Sequence, residues 1–389
     1  MSAAAKRSLS STGRSISPPA LRRKVSHTAE EDAHVASTWP AHLGQLRIFS
    51  WNVNGVGPLL QTPLSFGPGS LSPLRSFLKR HQWPQLLCLQ EVKVSSKDVG
   101  TQRQLHQAAN HGHAAGEPTY TVHFSLPRDQ YNATGFGGKV HGVASFLRDD
   151  FASGVRVTRR PEWDLEGRVL IHEHEVGLVI VNGYWVNGTS IPYRDPVTGQ
   201  ISGTRHDHKL RFHQHMLEEV LQHEAEGHHV ILIGDMNVAR SRIDGHPNLR
   251  TSPLQHVRNR ADFNSKFFDE PNGMRGIDIF RHTHGNTKKF TYYPRGSAWG
   301  ASCDRVDLII ISHALVDDPG VVTGTDILDS ALERGHSDHV PLWISLDLAK
   351  LAARNARRSE LLVASGSTWL APRSGETIIR PDFPSSFTW

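Results

Sequence analysis

HVILIGDMN, residues 229–237, is a short run that has no polar side chain from Val230 to Gly234 and then stops in an acid and an amide. A strand with no polar face belongs inside a sheet that is covered on both sides. Outward from it, similar runs recur: LRIFSW (46–51), QLLCLQE (85–91), VASFL (143–147), VLIHEHE (169–175), LVIVNGY (178–184), VDLIIIS (306–312) and PLWISL (341–346). Helical patterns are interleaved with them. Ser72 offers an N-cap, Pro73 a first position, and Leu74, Phe77 and Leu78 a single face. Phe212, Met216, Leu217, Val220 and Leu221 form a stripe that predicts a helix over about 207–225. Strands alternating with helices, plus direct strand-to-strand turns, give an α/β fold class with mixed sheets.

Composition bounds the function. A chain of 389 residues can bury a large core without staples, and its two cysteines, Cys88 and Cys303, read as packing residues in a reducing compartment. No apolar run approaches the roughly 20 residues that span a bilayer, so no membrane partner is expected. A formal charge of +5 and a pI near 9.3 are compatible with a polyanionic partner. Residues 1–44 read as a basic disordered arm: Lys6, Arg7, Arg14, Arg22, Arg23 and Lys24 precede any acid. That composition fits a mitochondrial transit peptide, the Arg22 to Lys24 cluster fits a nuclear signal, and an arm without an address fits equally. Residues 349–389 read as a polar, basic tail that begins with a short helix. One catalytic domain occupies 45–348, and no internal repeat is visible in it. Two polar stretches, 95–118 and 190–205, exceed ordinary loops of about 4–6 residues and are expected to be functional or disordered.

Catalytic groups sit where rigid strands give way to loops. LRIFSW runs into Asn52 and Asn54, QLLCLQ into Glu91 and Lys93, and HVILIG into Asp235 and Asn237. PLWISL is preceded by Asp338 and His339, and Asp307 lies inside a strand beside Arg305. Singly these have bland explanations: a strand-terminal acid, a helix cap, an Asp307–Arg305 ion pair. Together they fit phosphoester hydrolysis. Glu91 and Asp338 supply the carboxylates that a hard cation such as Mg²⁺ takes while keeping its waters. Asp307 would orient the His339 imidazole, and Asp235 is left to orient or deprotonate a water. Asn52, Asn54, Asn187, Asn237 and Tyr184 add neutral groups suited to phosphate oxygens.

In this order, FSWNVNG (49–55), LQEVK (89–93), NGYWVNG (182–188), IGDMNVA (233–239), DRVDLIIIS (304–312) and HSDHVPLW (336–343) resemble the exonuclease III-like AP endonucleases of the endonuclease/exonuclease/phosphatase superfamily. The resemblance covers nearly all of 46–348, with support from EGRVL (166–170), DIFRH (278–282) and FTYYPRGSAWG (290–300). It implies a four-layer α/β/β/α sandwich of two mixed sheets, with the site at strand ends between them. It implies Glu91 as principal ligand of Mg²⁺, with Mn²⁺ as a substitute, assisted by Asn52, Asn54 or Asp338. Asp235 would activate the water and Asn237 orient it; Tyr184 and Asn187 would touch the scissile phosphate; His339, held by Asp307, would stabilise its charge. Lys93 would support the metal-binding site, and Arg168 would lie near the DNA backbone. The implied activity is cleavage of double-stranded DNA 5′ to abasic sites, with 3′-to-5′ exonuclease and 3′-phosphatase action. The expected protein is an intracellular monomer in the nucleus or the mitochondrion.

Two departures stand out. Asn54 falls where the animal AP endonucleases have aspartate, as in the asparagine form of the bacterial branch, and Asp304 falls where they have an aromatic residue that helps enclose the abasic sugar. Phe290, Tyr292, Tyr293 and Trp299 are the aromatic alternatives, as pocket wall or as core. Lys288, Lys289 and Arg295, with Arg240 and Arg242, flank the motif strands and are read as phosphate-binding rather than as plain solvated loop. His206, His208, His213 and His215 cluster without a cysteine and on several helix faces, so solvated surface is expected there, as for His111, His113, His228 and His229. A phosphoesterase acting on a small phosphorylated metabolite, suggested by Asp304 and the 190–205 stretch, is the alternative. A catalytically silent binding module is disfavoured by the intact set of acids.

Overall fold

A computed structural model describes residues 44–60, 71–112, 114–133, 135, 140–317 and 319–364. In chain order the strands are β1 (Gln45–Asn52), β2 (Leu86–Gln90), β3 (Tyr120–Ser125), β4 (Val143–Arg148), β5 (Val155–Arg159), β6 (Val169–His174), β7 (Leu178–Tyr184) and β8 (Pro192–Arg194). They continue as β9 (Ile201–Thr204), β10 (His229–Asp235), β11 (Gly245–His246), β12 (Ile277–Asp278), β13 (Cys303–Asp304), β14 (Asp307–Ile311), β15 (Val322–Ile327) and β16 (Leu342–Asp347). Two six-stranded sheets result, ordered β15-β16-β1-β2-β4-β3 and β12-β14-β10-β7-β6-β5. Their pairing patterns match: β1 with β2 and β10 with β7 run parallel, and the other neighbours run antiparallel. No repeat in the sequence announces this correspondence.

Alternation along each strand builds four layers. Ile48, Leu86 and Cys88 of the first sheet meet Ile180, Ile231, Ile233 and Ile309 of the second in a dry middle layer. The opposite faces of the same strands pack outward. Phe49, Trp51, Leu87 and Leu89 meet Leu74, Phe77, Leu78 and Leu105 of the Pro73–Arg80 and Val99–Asn110 helices. Val179, Val181, Val230, Leu232 and Leu308 meet Phe212, Met216, Val220 and Phe263 of the Arg205–Ala225 and Leu254–Asn264 helices. Near the strand ends the middle layer turns polar: Gln90 Nε2 donates to Asn182 Oδ1 at 2.8 Å, and Asn182 Nδ2 donates to Ser145 Oγ at 3.1 Å. These satisfied bonds tie one sheet to the other just below the site.

The eight runs read as strands are strands β1, β2, β4, β6, β7, β10, β14 and β16, and Ser72 caps its helix by accepting from Arg75 N at 3.0 Å. Among the strands that the sequence does not announce, β3, β5, β12 and β15 lie at the edges of the two large sheets, where polar residues interrupt the pattern or the strand is short. Within the 95–118 stretch lies the Val99–Asn110 helix, whose thin stripe buries little beyond Leu105, Ala108 and Ala109. The 190–205 stretch is a β8–β9 hairpin anchored by Tyr193, whose ring stacks on His208 at 3.9 Å. After Leu348 the chain forms a helix, Leu348–Ala364, that buries Leu351. No described helix is long and apolar enough to cross a membrane. Cys88 and Cys303 are buried and free. The arm 1–43, His113 and the segment after 364 lie outside the described residues.

The histidine expectation needs correction. His206 and His213 are buried on the inward stripe of the Arg205–Ala225 helix, two turns apart, with Nδ1 atoms 2.9 Å from Asn259 Oδ1 and 2.7 Å from Asp262 Oδ2. His229 is buried as the first residue of β10.

Candidate active site

The two parallel pairs end at one cleft. On the second sheet, Tyr184, Asp235 and Asp307 stand side by side, since Asp235 pairs in register with Tyr184 of β7 and with Asp307 of β14. One step earlier Gly234 faces Gly183, and a Cβ on Gly234 would lie 2.0 Å from the Gly183 carbonyl oxygen. The glycines of NGY and GDMN are therefore packing requirements that bring Tyr184 and Asp235 together. On the first sheet, β1 ends in Asn52 and β2 runs into Glu91. Asp338 and His339 lie just before β16, where Ser337 Oγ donates to Asn52 O at 2.6 Å and Trp51 Nε1 donates to His339 O at 3.0 Å.

Asn54, Glu91, Lys93 and Asn237 all adopt left-handed backbone, with φ of 49°, 50°, 53° and 51°. Side chains rarely take this region, at a cost of roughly 1–3 kcal/mol each, and such residues persist where surrounding bonds fix them. Here Gly55 N donates to Glu91 O at 2.7 Å, Lys93 N to His141 O at 3.0 Å, and Asn237 N to Asp235 Oδ1 at 2.8 Å.

Hydrogen bonds cross the cleft between the sheets. Asn52 Nδ2 donates to Asp235 Oδ2 at 3.0 Å, and the Tyr184 hydroxyl donates to Glu91 Oε1. Lys93 Nζ lies 3.0 Å from Glu91 Oε2 and also donates to Asn54 Oδ1, while Asn54 Nδ2 donates to Asp338 Oδ1 at 3.0 Å. Burial opposes the Glu91 charge, but Lys93 and the Tyr184 hydroxyl outweigh it and hold the carboxyl below its usual value. Burial, then Glu91, keep the Tyr184 phenol protonated far into alkaline pH.

The second sheet carries a dry acid pair. Asp235 is 1% and Asp307 0% exposed, and burial followed by Asp307 pushes the Asp235 carboxyl up. His339 Nδ1 bonds Asp307 Oδ2 at 2.7 Å, and its Nε2 stands 3.9 Å from Asp235 Oδ2. Burial disfavours an imidazolium there, yet Asp307 and Asp235 together raise the His339 pKa. Asp307 Oδ1 is buried with no hydrogen-bond partner among the described residues.

Two donor sets could hold a metal. Glu91 and Asp338, with the amide oxygens of Asn52 and Asn54, are hard oxygen donors of the kind Mg²⁺ takes. Ligand atoms of Asp235, Asp307 and His339 also lie within 4.8 Å of one another. His339 Nδ1 is already bound to Asp307, so this second set reads as a proton-handling group and the first as the metal-binding one.

A cavity of about 300 Å³ joins these groups, lined by Glu91, Tyr184, Asn187, Asp235, Asn237, Asp338 and His339. Asp304 and Tyr292 form part of its wall, whereas Tyr293 is buried against Trp299, with ring centroids 3.7 Å apart, and Phe290 packs on the core. Lys209, Arg250, His256, Asn259 and Arg260 also line it. Lys209 was missed. Its Nζ donates to Asn237 O at 2.8 Å from a 2% exposed side chain, and burial pushes its pKa down to about 7. The signal was a lone charge on the inward stripe, three residues before Phe212.

The remaining sequence candidates stand further back. Arg168 is 2% exposed, its guanidinium bonded to Glu166, to the Tyr184 carbonyl and to His141, which makes it a prop behind Tyr184. Lys289 pairs with Asp326 at 2.7 Å, Arg240 with Asp278 at 2.9 Å, and Arg295 holds Ser337 O at 3.0 Å. Lys288 and Arg242 are exposed. None of these five lines the cavity among the described residues. Arg305 pairs with Asp244 and Asp278, each at 2.7 Å, rather than with Asp307.

Comparison with known proteins agrees with this fold. Residues 49–345 match the Endonuclease/Exonuclease/phosphatase family. A mouse protein, DNA-(apurinic or apyrimidinic site) endonuclease 2, is 28% identical over 233 residues, 51% of this chain and 40% of its own length. The human protein of that name is 26% identical over 233 residues, with the same shares covered. The chain thus spans 40% of the length of these curated relatives. The APE2 catalytic domain of Xenopus laevis has a similar fold, with a TM-score of 0.54 and 22% identity over 78% of this chain and 92% of that one. An AP endonuclease from Leishmania major gives a TM-score of 0.56 and 18% identity over 82% and 91%.

Proposed function

The chain belongs to the Endonuclease/Exonuclease/phosphatase family, and from that premise we propose that it is a divalent-metal-dependent phosphodiesterase that incises double-stranded DNA 5′ to abasic sites. The same phosphate pocket would serve 3′-to-5′ exonuclease and 3′-phosphatase action. The observation that carries the reading is the row Tyr184, Asp235 and Asp307 facing Asn52 and Glu91 of the other sheet, with Asn52 bonded to Asp235 and Tyr184 to Glu91. The relatives named as abasic-site endonucleases support DNA as the substrate.

Asp235 accepts the proton of the attacking water, a task for which its raised pKa suits it at neutral pH. Asn52 and Asn237 fix that carboxylate from either side, at 3.0 Å and 3.3 Å on Oδ2. His339, protonated and held by Asp307, directs Nε2–H at a phosphate oxygen and stabilises the charge that builds there. Tyr184 and Asn187 hold the phosphate, with Arg168 bracing Tyr184 from behind. Glu91 and Asp338, aided by Asn52 or Asn54, would bind Mg²⁺ or Mn²⁺, and Lys93 keeps Glu91 ionised. When bound, the ion supplies positive charge to the scissile phosphate. Lys288, Lys289 and Arg295 would act on the flanking duplex backbone, outside the pocket. The protein would work as an intracellular monomer, in the nucleus or the mitochondrion.

A substrate panel tests this: an abasic duplex, a 3′-phosphate duplex and small phosphoesters, each with Mg²⁺ and with the Asp235→Asn protein as background. Incision 5′ to the abasic site is expected. Equal turnover of free nucleotides or sugar phosphates, without DNA binding at low salt, would assign the site to a small phosphorylated metabolite.

A further inference from the structure

At the far end of the Arg205–Ala225 helix from the cleft, the sequence HEAEGHH (223–229) reverses direction. Gly227, at φ +85°, supplies the left-handed turn, with its N donating to Glu224 O at 3.0 Å and His228 N donating to His223 O at 3.0 Å. The turn lays His228 back beside His223, with ring centroids 5.7 Å apart. Glu226 Oε2 sits 3.8 Å from His223 Nδ1 and 3.6 Å from His228 Nδ1, both beyond hydrogen-bond reach. Both Nδ1 atoms are buried, and neither has a hydrogen-bond partner among the described residues. His223 as a whole is 3% exposed. A buried polar atom left unmatched costs about 1–3 kcal/mol, and two aimed at one carboxylate leave a gap that a cation would fill.

We propose that His223 Nδ1, His228 Nδ1 and a carboxylate oxygen of Glu226 form a binding site for a zinc-class divalent cation, separate from the catalytic cleft. One ligand atom from each residue lies within 4.8 Å of the others. A tetrahedral ion with bonds near 2.0–2.1 Å needs its ligands about 3.4 Å apart, so closure by about an ångström completes the set. Glu226, whose side chain is 47% exposed, and His228, 33% exposed, are free to make that movement. Two imidazoles and one carboxylate select a borderline metal over Mg²⁺ and leave a fourth position for water.

The surroundings hold an acceptor within a short movement of the other ring nitrogen. His223 Nε2 lies 3.1 Å from Arg159 Nη2 and 3.9 Å from Glu173 Oε1. While Arg159 donates to Nε2, the neutral ring keeps its proton on Nδ1, where nothing accepts it. Giving the Nδ1 lone pair to a metal moves that proton to Nε2, so the Arg159 N–H now 3.1 Å away must withdraw towards Glu219, and Glu173, at 3.9 Å, must close in to accept it. Arg159 retains Glu219 at 2.7 Å. His228 directly precedes β10, whose other end is Asp235, about 20 Å further along the strand. The ion would therefore clip a helix end to a central strand, and its effect is on the scaffold rather than on the chemistry.

The test is Zn²⁺ uptake by the full, tag-free chain, titrated against a chromophoric chelator with excess Mg²⁺ occupying oxygen-ligand sites. One Zn²⁺ equivalent is expected for the unmodified protein and for Glu91→Gln, and none for His223→Gln or His228→Ala. Glu226→Gln should weaken uptake by about 10- to 100-fold. Zn²⁺ should raise the melting temperature of the unmodified protein and leave that of His228→Ala unchanged; this variant alters a partly exposed side chain, so it folds even if His223→Gln does not. Co²⁺ in place of Zn²⁺ should give the intense visible bands of a four-coordinate ion. An equivalent that persists in both histidine variants, or an unmodified protein that takes up no more Zn²⁺ than they do, overturns the proposal.

Discussion

The two sheets share a pairing pattern and each brings a parallel pair to the same cleft, yet their rims are built in opposite ways. The rim of the first sheet is open: the Glu91 side chain is 19% exposed, sits on left-handed backbone and carries Lys93 as counter-charge. The rim of the second is dry: Asp235 and Asp307 lie within the ladder, at most 1% exposed, with His339 as their shared cation. Equivalent places in the fold thus receive different chemistry because water and counter-charge reach them differently. A carboxylate kept ionised near solvent suits a hard cation, while a buried carboxylate whose pKa is raised suits proton transfer.

The largest effect that would break this comparison is on the dry rim. Asp235→Asn keeps the size and shape of the side chain and removes the proposed base, so single-turnover incision of an abasic duplex should fall about 10³-fold with DNA affinity retained. His339→Asn should cost about 10²-fold in the same assay, since it removes one charged donor and leaves Asp235 in place. Equal losses accompanied by equal loss of DNA binding would mean that the two residues shape the rim rather than react.

Lys209→Met should act more mildly, lowering kcat about 10-fold with KM nearly unchanged, because Lys209 grips the Asn237 carbonyl without lining up with the phosphate itself. A rise in KM alone would make it a substrate contact. The smallest effect concerns stability. The second half also buries His172 and His213 uncharged: burial lowers their pKa values to about 3 and about 4, from an ordinary 6.5. The unfolded chain therefore takes up protons below about pH 6.5 that the folded one refuses, so this part of the stability is complete above 6.5 and drains away as pH falls towards 4. The melting temperature should drop between pH 7 and pH 5, and His172→Gln should flatten that drop; an unchanged slope would remove His172 from the explanation.

Much of this was legible in the sequence because the central strands are apolar throughout and end in chemistry. LRIFSWN, LLCLQE and HVILIGD each give their strand and the residue that stands at the cleft in one phrase. The edges were illegible for the converse reason: YTVHFS and VRVTR face solvent on one side, so their composition resembles loop. Lys209 and the buried histidines were hidden by chemistry that contradicts position, since polar residues on an inward stripe declare themselves only once their partners are placed. Arg168 lies where the resemblance implied a place near the DNA backbone, and only its acidic neighbour Glu166 reveals that it is already committed.

The most direct measurement is a Mg²⁺ titration of abasic-duplex incision by Glu91→Gln and Asp235→Asn side by side. Glu91→Gln should need about 10- to 100-fold more metal and then recover much of its activity, while Asp235→Asn should stay inactive at every concentration. Recovery of Asp235→Asn by metal, with Glu91→Gln beyond rescue, would contradict the division of labour between the two rims.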